Sequence, residues 1–257
     1  MTDALRAEWT KLRTLPSTGW LLVGAMGVTI AVSGIVAGVF HLNAHSAVDP
    51  TKLSLTGVQI GQAVVAVLAV LATSEEYDTG MIRVTLTAIP RRPILLAAKA
   101  ANLAGLTLLV GLIAVAGCLL SGRFLLPSAG VDPAHGYGLV SLGHAPTLRA
   151  AAGSVLYLML IALLSLGVAT AIRDTAASIG AVLGLLYLAP IAAQLVNDPT
   201  WRRHLDQIAP TTAGLAIQAT TNLHSQPIAP WAGLGVLAAW VLASLLAGGL
   251  MLKLRDA

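Results

Sequence analysis

The run AAAGSVLYLMLIALLSLGVATAI, residues 150–172, is followed by Arg173-Asp174-Thr175 and then by AASIGAVLGLLYLAPIAAQLVN, residues 176–197. Neither run holds a charged side chain, and each reaches the ~20 apolar residues that an α-helix needs to cross a ~30 Å hydrocarbon layer. The three residues between them leave room only for a tight antiparallel return. Outward from this pair, charge-free runs of similar length recur at Trp20–Leu42, Leu53–Thr73, Ala100–Ser121 and Trp231–Leu252, so six spans are predicted. Their apolar character is continuous and not alternating, which fits closed helices and not a barrel. Over the whole chain 10% of residues are charged, 56% are hydrophobic and the mean hydropathy is +0.82, against about 25% charged in an ordinary soluble domain. The expected fold is an all-α integral membrane chain, one domain over residues 1–257.

The net charge of +4 and a pI near 9.6 do not point to nucleic acid, because the basic residues are scattered through the loops with no dense patch interleaved with aromatics. Their distribution reports topology. With six spans and a cytoplasmic N-terminus, one side holds Arg6, Lys11, Arg13, Arg83, Arg91, Arg92, Lys99, Arg173, Lys253 and Arg255, and the other Lys52, Arg123, Arg149, Arg202 and Arg203. Ten against five satisfies the positive-inside rule and predicts a multi-pass cell-membrane protein with both termini in the cytoplasm. The lone Cys118 lies in the third apolar run and reads as a packed core thiol. A polar stretch of nearly twenty residues precedes the first run, which reads as a signal anchor and not a cleavable signal.

Before that run, Leu5, Trp9 and Leu12 fall at i, i+4, i+7 opposite Arg6, Glu8, Lys11 and Arg13. This spacing fits an interfacial amphipathic helix or a disordered basic flank, and Trp9, whose ring favours the headgroup level, favours the helix. Between the last two spans, Trp201, Leu205 and Ile208 repeat the spacing, and the apolar Ala213–Ala219 follows Pro210. Both pieces are too short to cross and read as short helices on or dipping into the outer surface. Pro190 should kink the fifth span. The pairs Gly34/Gly38, Gly57/Gly61 and Gly180/Gly184 place small residues on one helix face, where helices can approach closely.

Several chemistries lack their residues. None of Lys11, Lys52, Lys99 and Lys253 follows a glycine, so no phosphate-cradling Gly-Lys loop is present and any ATPase is expected to be another polypeptide. Ion-coupled carriers place ionisable groups within their spans, whereas here Lys99 stands only at a span end. Glu75-Glu76 is similar to the paired glutamates of intramembrane CAAX-type proteases, but Gly80 occupies the position of their arginine. His41 and His45 share an i, i+4 spacing, yet zinc needs three or four ligands and no third is nearby. No metal site, catalytic residue or cofactor is expected.

Between the second and third runs, residues 75–92 read EEYDTGMIRVTLTAIPRR and gather six of the chain's 26 acidic and basic residues. If a helix runs from about Thr79 to Ala88, Asp78 is a suitable N-cap, Glu75 and Glu76 lie at its positive end and Arg91 and Arg92 past its negative end. Ile82, Leu86 and Ile89 then form one apolar stripe, which fits either a lipid surface or a cleft in a partner. The glutamate, glycine, apolar pair, leucine and proline at Glu76, Gly80, Met81, Ile82, Leu86 and Pro90, with Glu75 an alternative for the acidic position, resemble the coupling loop of type-2 ABC transporter permeases. The order of an amphipathic N-terminus, six spans, a structured outer segment between spans five and six and a basic tail is similar as well.

The resemblance implies the permease subunit of an ATP-driven exporter, two copies forming the pathway and meeting a separate cytoplasmic ABC ATPase. It places ATPase coupling on Glu75, Glu76, Gly80, Met81, Ile82, Arg83, Leu86, Ile89, Pro90, Arg91 and Arg92. It also makes the second and fifth spans pathway-lining, with Gln59, Gln62 and Gln194 as candidate polar lining groups. Membrane lipid and a second copy are the other expected partners, and nucleic acid is not. A membrane receptor or scaffold without transport, or an intramembrane enzyme, are the alternatives.

Overall fold

The computed structural model describes residues 10, 16–39, 48–78, 92–131, 137 and 140–255. Among them the secondary structure is helical, without strands. The helices are α1 (Pro16–Val39), α2 (Pro50–Ser54), α3 (Gly57–Asp78), α4 (Arg92–Leu125), α5 (Ala145–Ile172), α6 (Thr175–Leu183), α7 (Ala189–Leu195), α8 (Pro199–Ile208), α9 (Pro210–Leu215) and α10 (Pro230–Arg255). A π turn, Gly184–Leu188, joins α6 to α7 into one membrane-length unit. With α1, α3, α4, α5 and α10, this makes six helices long and apolar enough to cross a bilayer. The chain is an all-α, multi-pass membrane protein, as its apolar runs predict.

The boundaries differ from the apolar runs in two places. The run beginning at Leu53 is broken: Asp49 caps a one-turn helix at Pro50–Ser54, and the second span starts afresh at Gly57. The third span starts at Arg92, well before Ala100, and continues for 34 residues, about 51 Å at 1.5 Å per residue. Lys99 is absorbed within it at 9% exposure.

α5 is the hub. α10, α4 and α3 pack along it and α6 returns beside it, while α1 lies against α3 and α4. Tyr157, Ile161, Leu164 and Leu166 of α5 are fully enclosed, whereas α1, α4, α7 and α10 turn Trp20, Ile35, Leu112, Leu195, Leu246 and others outward, as lipid-facing helices do. Backbone approach is closest where side chains are smallest. A Cβ on Gly57 would stand 1.9 Å from the Thr29 carbonyl oxygen, and one on Gly61 1.9 Å from Thr29 Oγ1. The Gly57 amide donates to Ser33 Oγ at 3.0 Å, and Cys118 Sγ donates to the Thr29 carbonyl at 3.5 Å, locking α1 to α3 and α4. Of the three Gly pairs, only Gly57/Gly61 makes such a contact; Gly38 and Gly180 face open space, and Gly34 and Gly184 meet only ordinary van der Waals neighbours.

Candidate functional site

The polar groups of this apolar bundle fall in three tiers. The first lies at the end of the bundle that carries residues 78, 92, 173 and 255, where the loop of residues 79–91 joins. α3 runs unbroken through Glu75 and Glu76 to Asp78, and the next described residue is Arg92. Arg173 closes α5 in the left-handed region at φ 66°, its amide bonding the Ala169 carbonyl at 2.9 Å. Asp174 then caps α6 by accepting from the Ala177 amide at 2.7 Å, so the return takes two residues. The Arg173 guanidinium lies 5.4 Å from the ring centre of Tyr77, a cation–π distance. Its Nη2 donates to the Met251 carbonyl at 2.9 Å. The stem of the loop, the α5–α6 return and the end of α10 are thereby tied through one side chain.

The second tier is enclosed. Tyr157 Oη, on the hub, donates to Gln62 Oε1 of α3, and both residues have no exposed surface. The pairing satisfies the hydroxyl and the carboxamide oxygen, either of which is costly to bury unpaired in an apolar medium, while Gln62 Nε2 has no hydrogen-bond partner among the described residues. Tyr187, in the π turn, donates to the Gln59 carbonyl at 2.7 Å. Next to it, Thr211 Oγ1 of α9 donates to the Leu186 carbonyl at 2.9 Å. That carbonyl is the one Pro190, lacking an N–H, cannot serve. The π turn and the outside hydroxyl together accommodate the proline.

The third tier closes the opposite end. The Asp49 carboxylate accepts from the Thr220 amide at 2.5 Å, Thr220 Oγ1 at 2.6 Å, the Thr221 amide at 3.0 Å and the Lys52 amide at 3.1 Å. Arg149 Nη2 donates to the Ala219 carbonyl at 2.5 Å, and Gln218 Nε2 to Ser154 Oγ at 3.1 Å. These bonds hold the segment after α9 down onto α2 and α5. α8 stays at the surface with Trp201, Leu205 and Ile208 exposed, while α9 is buried beneath it, so the two short helices predicted there take different depths.

Of the predicted site residues, Gln62 is enclosed within one chain, whereas Gln59 and Gln194 are exposed on α3 and α7. Gln59 enters the second tier through its backbone; Gln194 stands outside it. Glu75, Glu76 and Arg92 belong to α3 and α4. Gly80, Met81, Ile82, Arg83, Leu86, Ile89, Pro90 and Arg91 lie outside the described residues, as do His41, His45 and the amphipathic N-terminal stretch apart from Thr10. Among the described residues no three His, Cys, Asp or Glu side chains gather as a metal would require. Tyr157, Tyr187, Thr211 and Asp49 were not singled out by sequence. The available signal was a tyrosine in the middle of an aliphatic span, whose hydroxyl needs a partner. Neither a protein-family model nor a curated protein matches this chain.

Proposed function

We propose that this chain is the membrane-spanning permease subunit of an ATP-driven exporter of the type-2 ABC kind, acting as a dimer with a separate cytoplasmic ATPase. The observation that carries the reading is the stem of the 79–91 loop. Tyr77, the penultimate residue of α3, is joined through Arg173 to the α5–α6 return and to the Met251 carbonyl of α10. A push on the loop by an ATPase would therefore pass into three spans and not merely bend a free tether. The loop sequence, with its glycine at the start of an apolar stripe Ile82, Leu86 and Ile89, supplies the docking face. In this reading Glu75 and Glu76 set the angle between that stripe and α3, and Arg91 and Arg92 close its far end.

The test is co-purification of an ABC ATPase with the tagged chain, read by mass spectrometry and by ATP hydrolysis of the complex. Gly80→Leu and Ile82→Asp are expected to leave expression and dimerisation intact and to remove the ATPase, while Leu86→Met retains it. On intrinsic propensity alone Gly80→Leu would favour a helix by up to about 1 kcal/mol, so loss of association identifies docking. Undiminished co-purification and transport by both variants would sink the reading. The isolated chain is expected to bind no ATP analogue.

A further inference from the structure

Between the ends of α4 and α10 nearest residues 92 and 255 lies an open-sided cavity of about 460 Å³, within the size range of small-molecule sites. It exists because small residues face large ones: Ala97 and Ala100 of α4 and Gly249 of α10 leave the space that Leu242 and Leu246 border. Among the described residues the one charged side chain lining it is Lys253, exposed at its mouth. No acidic residue occurs in 92–100 or 242–255, and Asp256, the next in sequence, lies outside the described residues. Lys99 stands behind the Leu96–Leu252 wall in a separate, smaller space with interactions of its own, and is not part of this mouth.

The dimensions identify an occupant. From Leu242 to Lys253 the groove follows twelve residues of helix, whose eleven rises of 1.5 Å make roughly 16 Å, about half of a ~30 Å hydrocarbon layer. An apolar slot one leaflet deep, open to the side and bearing the Lys253 ammonium near the end of its span, matches an acyl chain with a phosphate above it. We propose that this groove is a binding site for one anionic phospholipid of the adjoining leaflet, its acyl chain between Ala97, Ala100 and Gly249 and its phosphate on Lys253. Basic pockets between helices at a membrane face recognise such headgroups. The site is independent of the transport reading and requires no ATPase.

Native mass spectrometry of the detergent-purified chain, titrated with dioleoyl phosphatidylglycerol or dioleoyl phosphatidylcholine, tests it. One phosphatidylglycerol per chain is expected to bind more tightly than phosphatidylcholine. Lys253→Gln should weaken the anionic lipid about fivefold, the worth of one cation near a membrane surface, and leave phosphatidylcholine unchanged. Gly249→Leu, whose Cβ would have an ordinary 3.6 Å contact with Leu96 and whose branch would enter the groove, should weaken both lipids; Ala97→Leu serves the same purpose should Gly249→Leu lose its thermal transition. Inorganic phosphate at millimolar concentration should displace neither. An unchanged preference in Lys253→Gln, undiminished binding in both groove-filling variants, or displacement by phosphate alone would overturn the proposal. So would a shift in the monomer–dimer ratio of Gly249→Leu with lipid binding unaltered, since a second copy would then fill the groove.

Discussion

At Pro190 the chain gives up a backbone donor inside a span, and a hydroxyl from a helix twenty-one residues later meets the carbonyl left behind. Removing it by Thr211→Val, which keeps the shape, should destabilise the protein by about 0.6 to 1.7 kcal/mol, the span of measured polar contacts between membrane helices. In the background of Pro190→Ala, which restores an N–H, the same change should cost less; a double-mutant cycle on thermal unfolding in detergent reads the difference. At the opposite end, Asp49 accepts four hydrogen bonds. Asp49→Ala removes a helix cap together with the anchor of Thr220 and Thr221, and a loss of about 2 kcal/mol is expected. Faster labelling of a cysteine introduced by Asn222→Cys would report the freed segment, and an unchanged rate would show that Asp49 does not hold it. Both residues stand out in sequence, a proline within a span and an aspartate before a proline. Their partners do not, because Thr211 and Thr220 are selected by where α9 comes to rest and not by any local pattern.

Among the elements, the closest approach separates one glycine pair from the rest. Gly57→Ala and Gly61→Ala each drive a methyl into Thr29 and should destabilise by about 1 to 3 kcal/mol through overpacking. Gly180→Ala meets nothing and should be neutral or stabilising, by up to about 1 kcal/mol of helix propensity. Equal effects at the three sites, measured as unfolding midpoints, would contradict the α1–α3 contact. The spacing of four marks small residues on one face, but it carries no information on which face turns inward, so the three pairs looked alike in sequence. The spans themselves were legible because crossing a bilayer demands only length and apolarity. Their ends were less so. Lys99 ends the charge-free third run early, although a lysine one turn or two from a helix end can be accommodated by its neighbours, and the cap and proline at Asp49-Pro50, which open α2, fall between the first two apolar runs.

On the scale of the whole molecule, the ten-to-five division of basic residues across six spans predicts residues 75–92 on the cytoplasmic side and the α9 segment outside. In a Cys118→Ala background, Ser128→Cys and Ser225→Cys should react with an impermeant maleimide in intact cells, and Thr85→Cys only after permeabilisation. Labelling of Thr85→Cys in intact cells would reverse the orientation. Residues 75–92 stand out in sequence as a charged insertion between apolar runs, whereas the contacts of Tyr77 with Arg173 and of Arg173 with Met251 do not, since they are made only by the return of α5 and α10. The hub position of α5 also has a temporal side. Gln62 precedes Tyr157 by 95 residues, which at a synthesis rate of about 5–20 residues per second is a delay of roughly 5–20 s. In that interval the spans already made are α1 and then α4, and among the contacts α1 offers α3 are those of Ser33 and Thr29 with Gly57 and Gly61. The seam between α1 and α3 can therefore form well before the fourth span arrives to close over the glutamine.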